Sequence, residues 1–430
     1  MQVVDDYWQQ VRGADLHPGH YVCLAKSGNR VTIECEETGR VFEALNFCNN
    51  DILGLAQNPQ VKAAAVAAID QFGTSNSGCA ALNGRISVHR ELEQEISDFK
   101  GLPHTYLFLN AWMAMQALFD AFCHLAIPIP GFRHTRETLI FTDLSNHGCI
   151  TTAVVNAGNR SGKRHTQSPE VRVKSYRHCD PDDLAKRLRR YAKPGDRIIV
   201  VTDSVFSMEG DIAPLPAFVD LLAGYPGSVL VLDEAHSSGA IGPGGGGLCE
   251  HFGLSPDAIA ARGVEPVIMT TFSKFAASAG AAISTRSSGL VGVLDACPTA
   301  IGTISLPPST AAAALEAIRQ MRQHPEWCQA VQDKTVFLRN LLREQGFEAQ
   351  GQTNVVPVVL HPDVHPKGFA RHMLEQSGVW VSPIWYIAKP RLRVVVNALH
   401  TEQELRSLVD AMIDSREMLY PVPGRLQQRA

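Results

Sequence analysis

Two stretches decide the fold: Val229-Leu230-Val231-Leu232-Asp233-Glu234-Ala235-His236 and, further along, Met269-Thr270-Thr271-Phe272-Ser273-Lys274. Each is a short apolar run that ends in polar residues. Such runs are typical of buried parallel strands, which present functional side chains at their carboxyl ends in open α/β sheets. The sequence therefore predicts that Asp233 and Lys274 lie at the same edge of one sheet.

An acid and an amine at such an edge suit pyridoxal 5'-phosphate (PLP). The amine of Lys274 would form a Schiff base with the cofactor, and Asp233 would keep the pyridine nitrogen protonated. The apolar residues before Lys274 and the presence of Asp233 favour this interpretation over a solvated surface lysine.

Composition excludes several classes of protein. The chain has 430 residues, of which 45% are hydrophobic and 19% charged, and its net charge is -4, so neither nucleic acid nor an anionic membrane is an expected partner. We find no signal pattern at the amino end and no apolar run long enough for a transmembrane segment. The ten cysteines are scattered without a C-x-x-C pair, which predicts a cytoplasmic protein with no metal site and no disulfide framework.

Helical stretches alternate with short apolar strands along the middle of the chain. This pattern predicts an α/β fold, a mostly parallel sheet with helices on both faces. We expect an N-terminal arm over residues 1–60, a large cofactor-binding domain over 61–308, and a smaller C-terminal α+β domain with a linking helix over 309–430. The strands predicted for the large domain are Tyr106–Leu109, Leu139–Thr142, Arg197–Thr202, Ser228–Leu232, Val267–Thr270 and Ala281–Ser284.

The flanking regions have patterns of their own. A small hairpin is expected around Glu37-Thr38-Gly39, and a helix is expected to end at Gly73. After Pro307-Pro308 a long helix is predicted over Ser309–His324. The C-terminal domain should contain strands at Asn354–Leu360, Val379–Val381 and Leu392–Asn397, with helices near 330–345, 366–377 and 401–416.

The order of motifs resembles the α-oxoamine synthase family of PLP enzymes, over roughly residues 45–415. Any one motif is modest evidence, but seven in order are strong. They are Asn49–Leu55, Gly73–Gly78 with His89–Glu93, Thr202–Leu215, Asp233–Ser237, Thr271–Lys274, Ser305–Pro308, and Arg391–Arg393 with His400-Thr401. The resemblance implies the aspartate-aminotransferase fold, known as PLP fold type I.

The resemblance also implies roles for individual residues. Lys274 should bind the cofactor and later remove the substrate α-proton, while Asp233 should pair with the pyridinium nitrogen. His147 should stack on the pyridine ring. His236 and Ser207 should approach the cofactor's phenolic oxygen. A further group should hold the phosphate: Asn110, Ala111 and Trp112 at a helix start, Thr271, and Thr303 from the neighbouring subunit of a homodimer.

Substrate contacts are expected from other residues. Arg393 is predicted to bind the α-carboxylate through its guanidinium fork, and Asn50 could assist. Arg391 is interpreted as a surface charge, with an exchange of roles between the two arginines left open. The family's loop usually has G-S-R where this chain has Gly78-Cys79-Ala80, so the arginine is missing and contacts to the acyl donor could differ.

The predicted reaction is a decarboxylating condensation of an L-amino acid with an acyl thioester, giving an α-aminoketone. The thioester could be carried by coenzyme A or by an acyl carrier protein. Within the family, the motifs look most like the serine palmitoyltransferase branch or a related specialised member. Two alternatives stay open: a PLP-dependent aminotransferase or decarboxylase of the same fold, and a non-catalytic partner subunit on the same scaffold, which the presence of Lys274 argues against.

Overall fold

The computed structural model describes residues 1–13, 21–124, 137–160, 170–385 and 389–420. A 3-10 turn covers Leu55–Gln57. The other elements, in chain order, are α1 (Gln2–Gly13), β1 (Tyr21–Ser27), β2 (Arg30–Cys35), β3 (Val41–Asn46), α2 (Pro59–Phe72), α3 (Ser87–Lys100), β4 (His104–Phe108), α4 (Ala111–His124), β5 (Thr138–Asp143), α5 (Gly148–Arg160), β6 (Val171–Tyr176), α6 (Pro181–Tyr191), β7 (Arg197–Asp203), α7 (Leu215–Leu222), β8 (Ser228–Asp233), α8 (Leu248–His251), α9 (Pro256–Ala260), β9 (Val264–Thr271), β10 (Ala281–Thr285), α10 (Ser288–Asp295), α11 (Pro298–Ile301), α12 (Pro308–Gln323), α13 (Glu326–Glu344), β11 (Glu348–Ala349), β12 (Val355–Val359), α14 (Pro366–Ser377), β13 (Val379–Trp380), β14 (Ser382–Ile384), β15 (Arg391–Val395) and α15 (Glu402–Leu419).

The chain divides into two compact units. The central unit comprises Asn50–Gln332 and Gln352–Asn354, and the terminal unit comprises Met1–Asn49, Asp333–Gly351 and Val355–Ala430. Residues 1–49 group with the C-terminal segments, and α12 belongs to the central unit. The sequence suggested divisions at 60 and 308 instead, and this three-part division stays a prediction.

A seven-stranded sheet forms the middle of the central unit, in the order β4-β10-β9-β8-β7-β5-β6. Neighbouring strands from β6 to β9 pair in parallel, and β10 pairs antiparallel with both β9 and β4. Every residue of β5 and β8 is buried, which explains why these strands read as continuous apolar runs. The α/β fold class and the mostly parallel sheet predicted from sequence are confirmed.

The terminal unit contains two four-stranded sheets, in the orders β1-β2-β3-β13 and β11-β12-β15-β14. The predicted hairpin is present, since β2 and β3 pair antiparallel. The last helix, α15, is capped at its N-terminus by Thr401, which forms a capping box with Glu404. One apolar core joins the second sheet to the ends of α13, α14 and α15.

None of the described helices is long and apolar enough to cross a lipid bilayer.

Candidate active site

Acidic and hydroxyl side chains end the four central parallel strands of the sheet. Asp143 ends β5, Asp203 ends β7, Asp233 ends β8 and Thr271 ends β9. In the strand register Asp203 lies opposite Asp233, and Asp233 lies opposite Met269. Because parallel strands deliver their carboxyl ends to one edge, four polar residues meet there.

Asp233 is buried, with 2% of its surface exposed. Its Oδ1 atom accepts a hydrogen bond from the Ala235 N–H at 2.9 Å, and its Oδ2 atom lies 3.8 Å from the Cys149 sulfur. A thiol is a weak donor, so Oδ2 keeps most of its capacity as an acceptor. Burial raises the pKa of Asp233, and the positive charge of Lys274 opposes that rise.

His147 lies at the start of α5, beside both aspartates. Its backbone N–H donates to Asp203 Oδ2 at 2.8 Å, and its ring Nδ1 accepts the Cys149 N–H at 3.2 Å. Burial lowers the pKa of His147; the charge of Asp233 opposes this effect and that of Lys274 adds to it. The charges of Asp233 and Lys274 therefore both act on the His147 ring.

Lys274 is half-buried and lies three residues past the end of β9, in a segment whose Phe272 and Phe275 are both buried. Its charge acts on Asp233, Asp203 and His147. Three residues earlier, the Thr271 hydroxyl donates to the Gly280 carbonyl at 3.1 Å and lies 3.0 Å from the Ser273 hydroxyl. Thr271 and Lys274 therefore both lie at the carboxyl end of β9.

The start of α4 has the properties of an anion site. Asn110 caps the helix: its side-chain oxygen accepts the Met113 N–H at 2.9 Å and its carbonyl accepts the Ala114 N–H at 3.1 Å. The N–H groups of Ala111 and Trp112 belong to the first turn, which has no acceptor within the helix. The half-exposed Trp112 ring lies over Gly148, where an added Cβ would be 3.7 Å from it, so this helix start lies beside the His147 turn.

Ser207 and His236 follow β7 and β8. Ser207 is half-buried in a turn closed by the bonds of Phe206 N–H to Asp211 O, 3.0 Å, and Gly210 N–H to Phe206 O, 2.8 Å. His236 is buried three residues after Asp233. Both residues lie beyond the carboxyl ends of these strands.

Thr303 is half-buried between α11 and α12, next to the glycine-rich loop. The Ser305 N–H donates to Gly78 O at 2.9 Å and the Ser305 hydroxyl donates to Gly84 O at 2.6 Å. A Cβ on Gly84 would lie 2.0 Å from Gly78 O, so only glycine fits this crossing. Asn50 is half-buried and precedes the buried Asp51, which accepts the N–H groups of Leu55 and Ala56.

Arg393 belongs to the terminal unit. It lies on β15, opposite Pro357 and Ser382, and is buried. Burial raises the pKa of the Cys48 thiol to about 12, although the nearby charge of Arg393 opposes that change. The interpretation of Arg391 as a surface charge is wrong: its exposed fraction is 8%, because every residue of β15 is buried and its Nε donates to the Lys389 carbonyl at 3.3 Å.

The residues of the central unit fit PLP. An acceptor oxygen of a buried carboxylate matches the pyridinium N–H, an amine at the same edge matches the aldehyde carbon, and a helix start with N–H donors matches the phosphate. The individual roles predicted from sequence nevertheless remain predictions.

Sequence reasoning assigned no role to Asp203 or Cys149, yet both contact this site. Asp203 was visible as a polar residue directly after an apolar strand, within the motif Thr202-Asp203-Ser204. No sequence signal pointed to Cys149. Its sulfur lies near Asp233 because α5 begins one residue before it, and the sequence alone does not show that proximity. Burial raises the pKa of Asp203 well above its ordinary value, and the neighbouring charge of Asp233 raises it further.

Comparison with known proteins places this site in context. Residues 43–412 match the sequence profile of the class I and II aminotransferases. The 8-amino-7-oxononanoate synthase of Fervidobacterium nodosum is 30% identical over 85% of this chain and 87% of its own. The putative 8-amino-7-oxononanoate synthase of Rippkaea orientalis is 32% identical over 89% of this chain and 91% of its own.

Solved structures share the fold. A structure of SPT with PLP has a TM-score of 0.81 and 24% identity, and covers 97% of each chain. Serine palmitoyltransferase from Sphingomonas wittichii has the same TM-score and coverage at 22% identity.

Proposed function

This chain belongs to the class I and II aminotransferase family and, within it, to the α-oxoamine synthases, and from that membership we propose how its residues divide the work. The reaction is the decarboxylating condensation of an amino acid with an acyl thioester. The observation that carries the assignment is the meeting of Lys274, Asp233 and His147 at one sheet edge, with Asp233 buried.

The cofactor is PLP, which when bound withdraws electrons from the α-carbon of the amino acid and so allows its bonds to hydrogen and to the carboxylate to break. Asp233 Oδ2 would accept the ring N–H and hold that ring in place. The bond from the Ala235 N–H to Oδ1 fixes the rotation of the carboxylate. The first turn of α4 and the Thr271 hydroxyl would bind the phosphate, with Thr303 of a second subunit.

Lys274 is the residue that moves the proton. Its Nζ would hold the cofactor, and once an amino acid has taken that place the free amine would accept the α-proton. We assign Arg393, assisted by Asn50, to the substrate carboxylate, and His236 and Ser207 to the cofactor's phenolic oxygen. In the balanced reaction a carbon–carbon bond forms at the acyl carbon, the carbon–sulfur bond breaks to release a thiol, the carboxylate leaves as carbon dioxide, and the α-carbon regains a proton.

We propose a homodimer that acts in the cytoplasm. The family resemblance supports the dimer, and all ten cysteines are free thiols, which supports a reducing compartment. The sequence relatives described above carry the name 8-amino-7-oxononanoate synthase, whereas one of the solved structures described above is a serine palmitoyltransferase. The amino acid, the acyl chain and the choice of coenzyme A or carrier protein as donor are therefore what the experiment must identify.

The test begins with the visible absorption spectrum of the purified protein with PLP. Single L-amino acids are then added, and a spectral shift with one of them identifies the first substrate. With that amino acid labelled in its carboxyl carbon, labelled carbon dioxide should appear only when an acyl thioester is supplied. Lys274→Ala should abolish it, and Lys62→Ala, at an exposed position on α2, should not.

Other outcomes would favour the alternatives. An α-keto acid formed without carbon dioxide indicates an aminotransferase, and carbon dioxide released without a thioester indicates a decarboxylase. A colourless protein that takes up no PLP would indicate a non-catalytic partner subunit. Full activity of Lys274→Ala would contradict the proposed mechanism.

A further inference from the structure

His178 lies between two carboxylates and has no role in the assignments above. Its Nδ1 atom is 3.2 Å from Asp143 Oδ1, and its Nε2 atom is 3.3 Å from Asp211 Oδ2. An ionised carboxylate only accepts hydrogen bonds, so this geometry favours a proton on each ring nitrogen, which makes the ring an imidazolium. Burial alone would lower the pKa of His178, but the bonds to Asp143 and Asp211 outweigh it and raise the pKa to about 12.

The first carboxylate shapes the turn that leads to His147. Asp143 is the last residue of β5, and its side chain is completely buried. Besides His178, its Oδ1 accepts the Ser145 N–H and its Oδ2 accepts the Cys179 N–H, both at 2.8 Å. Asp143 therefore fixes the backbone at Ser145, two residues before His147, and connects it to the segment that follows β6.

The second carboxylate belongs to the turn that carries Ser207. Asp211 ends this turn, and its carbonyl accepts the Phe206 N–H. The Phe206 ring also packs edge-on against the His178 ring, with centroids 4.3 Å apart and planes at 84°. His178 thus holds the Phe206–Asp211 turn through one hydrogen bond and one aromatic contact.

We propose that His178 is a positioning residue which, as an imidazolium bridge between Asp143 and Asp211, sets the spacing of the two turns that carry His147 and Ser207. This inference rests on the proposed function, because it requires that both residues contact the cofactor. A fixed positive charge between two carboxylates gives a bridge that does not depend on pH near neutrality. The bridge fixes the turn after β5 relative to the turn after β7.

A metal site is the competing interpretation of the same residues. Donor atoms of Asp143, His178 and Cys179 lie within 4.8 Å of one another, the one such group among the described residues. A metal ion would require one ring nitrogen to lose its proton and turn its lone pair toward the ion. The two carboxylates that face the ring favour the protonated form, so the geometry favours the bridge.

The test uses His178→Gln, which keeps a donor but cannot donate in two opposite directions. The matched control is His251→Gln, at an exposed position on α8. For each protein we would measure the PLP dissociation constant by titrating the apo form, together with kcat, KM and the thermal midpoint. We expect His178→Gln to bind PLP more weakly and to lose about 100-fold in kcat with a smaller change in KM, the size of effect that a misplacement near 1 Å produces.

Several results would overturn the bridge. They are wild-type PLP affinity and kcat in His178→Gln, a lowered thermal midpoint with both unchanged, and stoichiometric metal in the purified wild-type protein. If His178→Gln does not fold, Asp211→Ala at a partly exposed position removes one hydrogen-bond partner of the ring instead, and it should weaken PLP binding in the same direction. Nitrogen NMR of histidine-labelled wild-type protein should show one ring with two N–H groups at pH 9, and its absence would exclude the imidazolium.

Failure of the proposed function is a separate result. If the wild-type protein binds PLP but performs no condensation, the PLP dissociation constants and the NMR spectrum still decide the role of His178.

Discussion

Two aspartates that lie opposite each other in the sheet differ in their expected charge. Asp203 has its pKa raised well above the ordinary value by burial and by Asp233. Burial also raises the pKa of Asp233, and the charge of Lys274 is the largest opposing influence there. The pKa of Asp203 is raised further than that of Asp233, so Asp203 keeps its proton to higher pH than its neighbour, a common way in which active sites divide roles between like residues.

Replacing each aspartate by asparagine should separate these roles. In Asp233→Asn the amide can keep the bond from Ala235 but cannot offer a charged acceptor to the cofactor, so we expect kcat to fall by ~10²–10³-fold, as for loss of one preorganised electrostatic contact. Asp203→Asn imitates a protonated carboxyl group and still accepts the His147 N–H, so its kcat should change by less than about tenfold. Steady-state kinetics with saturating PLP measures both, and equal losses would contradict this division.

A second residue-scale prediction concerns His400 in the terminal unit. Burial lowers the pKa of His400 to about 4, although Glu404 opposes the change. The neutral ring is fully bonded: Nδ1 accepts the Asn397 N–H at 3.0 Å, Nε2 donates to Asn46 O at 3.3 Å, and the ring stacks on Phe47 at 4.2 Å.

This shift makes stability depend on pH. Between pH 6.5 and about 4 the unfolded chain binds a proton at His400 that the folded chain does not. The free energy of unfolding should therefore fall with decreasing pH across that window, by up to about 3 kcal/mol from this residue. Urea unfolding of wild type and His400→Gln at several pH values measures the difference, and parallel curves would count against it.

The positions of the active-site residues could be predicted from the sequence, but their charge states could not. Asp233, Lys274 and His147 follow apolar strands, so their common edge could be inferred from the sequence alone. The charge states could not, because they depend on which groups become neighbours after folding. Arg391 shows the same limit: it was interpreted as a surface charge because Arg393 took the carboxylate-binding role, yet both arginines are buried on β15.

Elements follow a similar rule. The apolar strands β5, β7, β8 and β9 were predicted to within three residues at either end. β6 was missed because apolar and polar residues alternate along Val171-Arg172-Val173-Lys174-Ser175-Tyr176. This strand lies at the edge of the sheet and its central residues are only half-buried. β1 was missed as well, because nearly all of its residues are exposed.

A buried ion pair ties α3 to the segment after β8. Lys100 Nζ donates to Glu234 Oε2 at 2.5 Å, to Ser238 Oγ at 2.7 Å and to Gly246 O at 3.0 Å, and both charged side chains are buried. Glu234 Oε1 also accepts the Leu248 N–H at 2.9 Å. Glu234 directly follows Asp233, so this network supports the strand end that carries the candidate active site.

Breaking one half of the pair should be costly. Lys100→Met leaves the Glu234 carboxylate buried without its cation, and we expect the free energy of unfolding to fall by about 3–5 kcal/mol. The double variant Lys100→Met/Glu234→Gln removes both charges but keeps an acceptor for Leu248, so most of the loss should be recovered. Urea unfolding midpoints test this, and a double variant no more stable than Lys100→Met would disprove it.

On the scale of the whole molecule, the proposed homodimer predicts that each active site contains residues of both subunits. If Thr303 contributes to the site of the other subunit, each site takes Lys274 from one subunit and Thr303 from its partner. A hybrid dimer then contains one site with both wild-type residues. Random mixing should restore about one quarter of wild-type activity, since half of the dimers are hybrids with one intact site each.

The measurement mixes the two purified variants under conditions of subunit exchange and follows carbon dioxide release. Each variant alone provides the baseline, and light scattering gives the oligomeric state. If activity in the mixture never exceeds the mean of the two variants, Thr303 acts within its own subunit.

The insertion of β10 between β4 and β9 has a consequence for how the chain emerges from the ribosome. β4 has β10 as its one neighbour in the described sheet, and Phe108 pairs with Ala281, so some 170 residues must be synthesised after β4 before its partner exists. At translation rates of about 5–20 residues per second, an apolar strand remains unpaired for roughly 10–35 s. The nascent chain thus passes through a prolonged aggregation-prone interval, during which chaperone binding to the region around β4 would be most valuable.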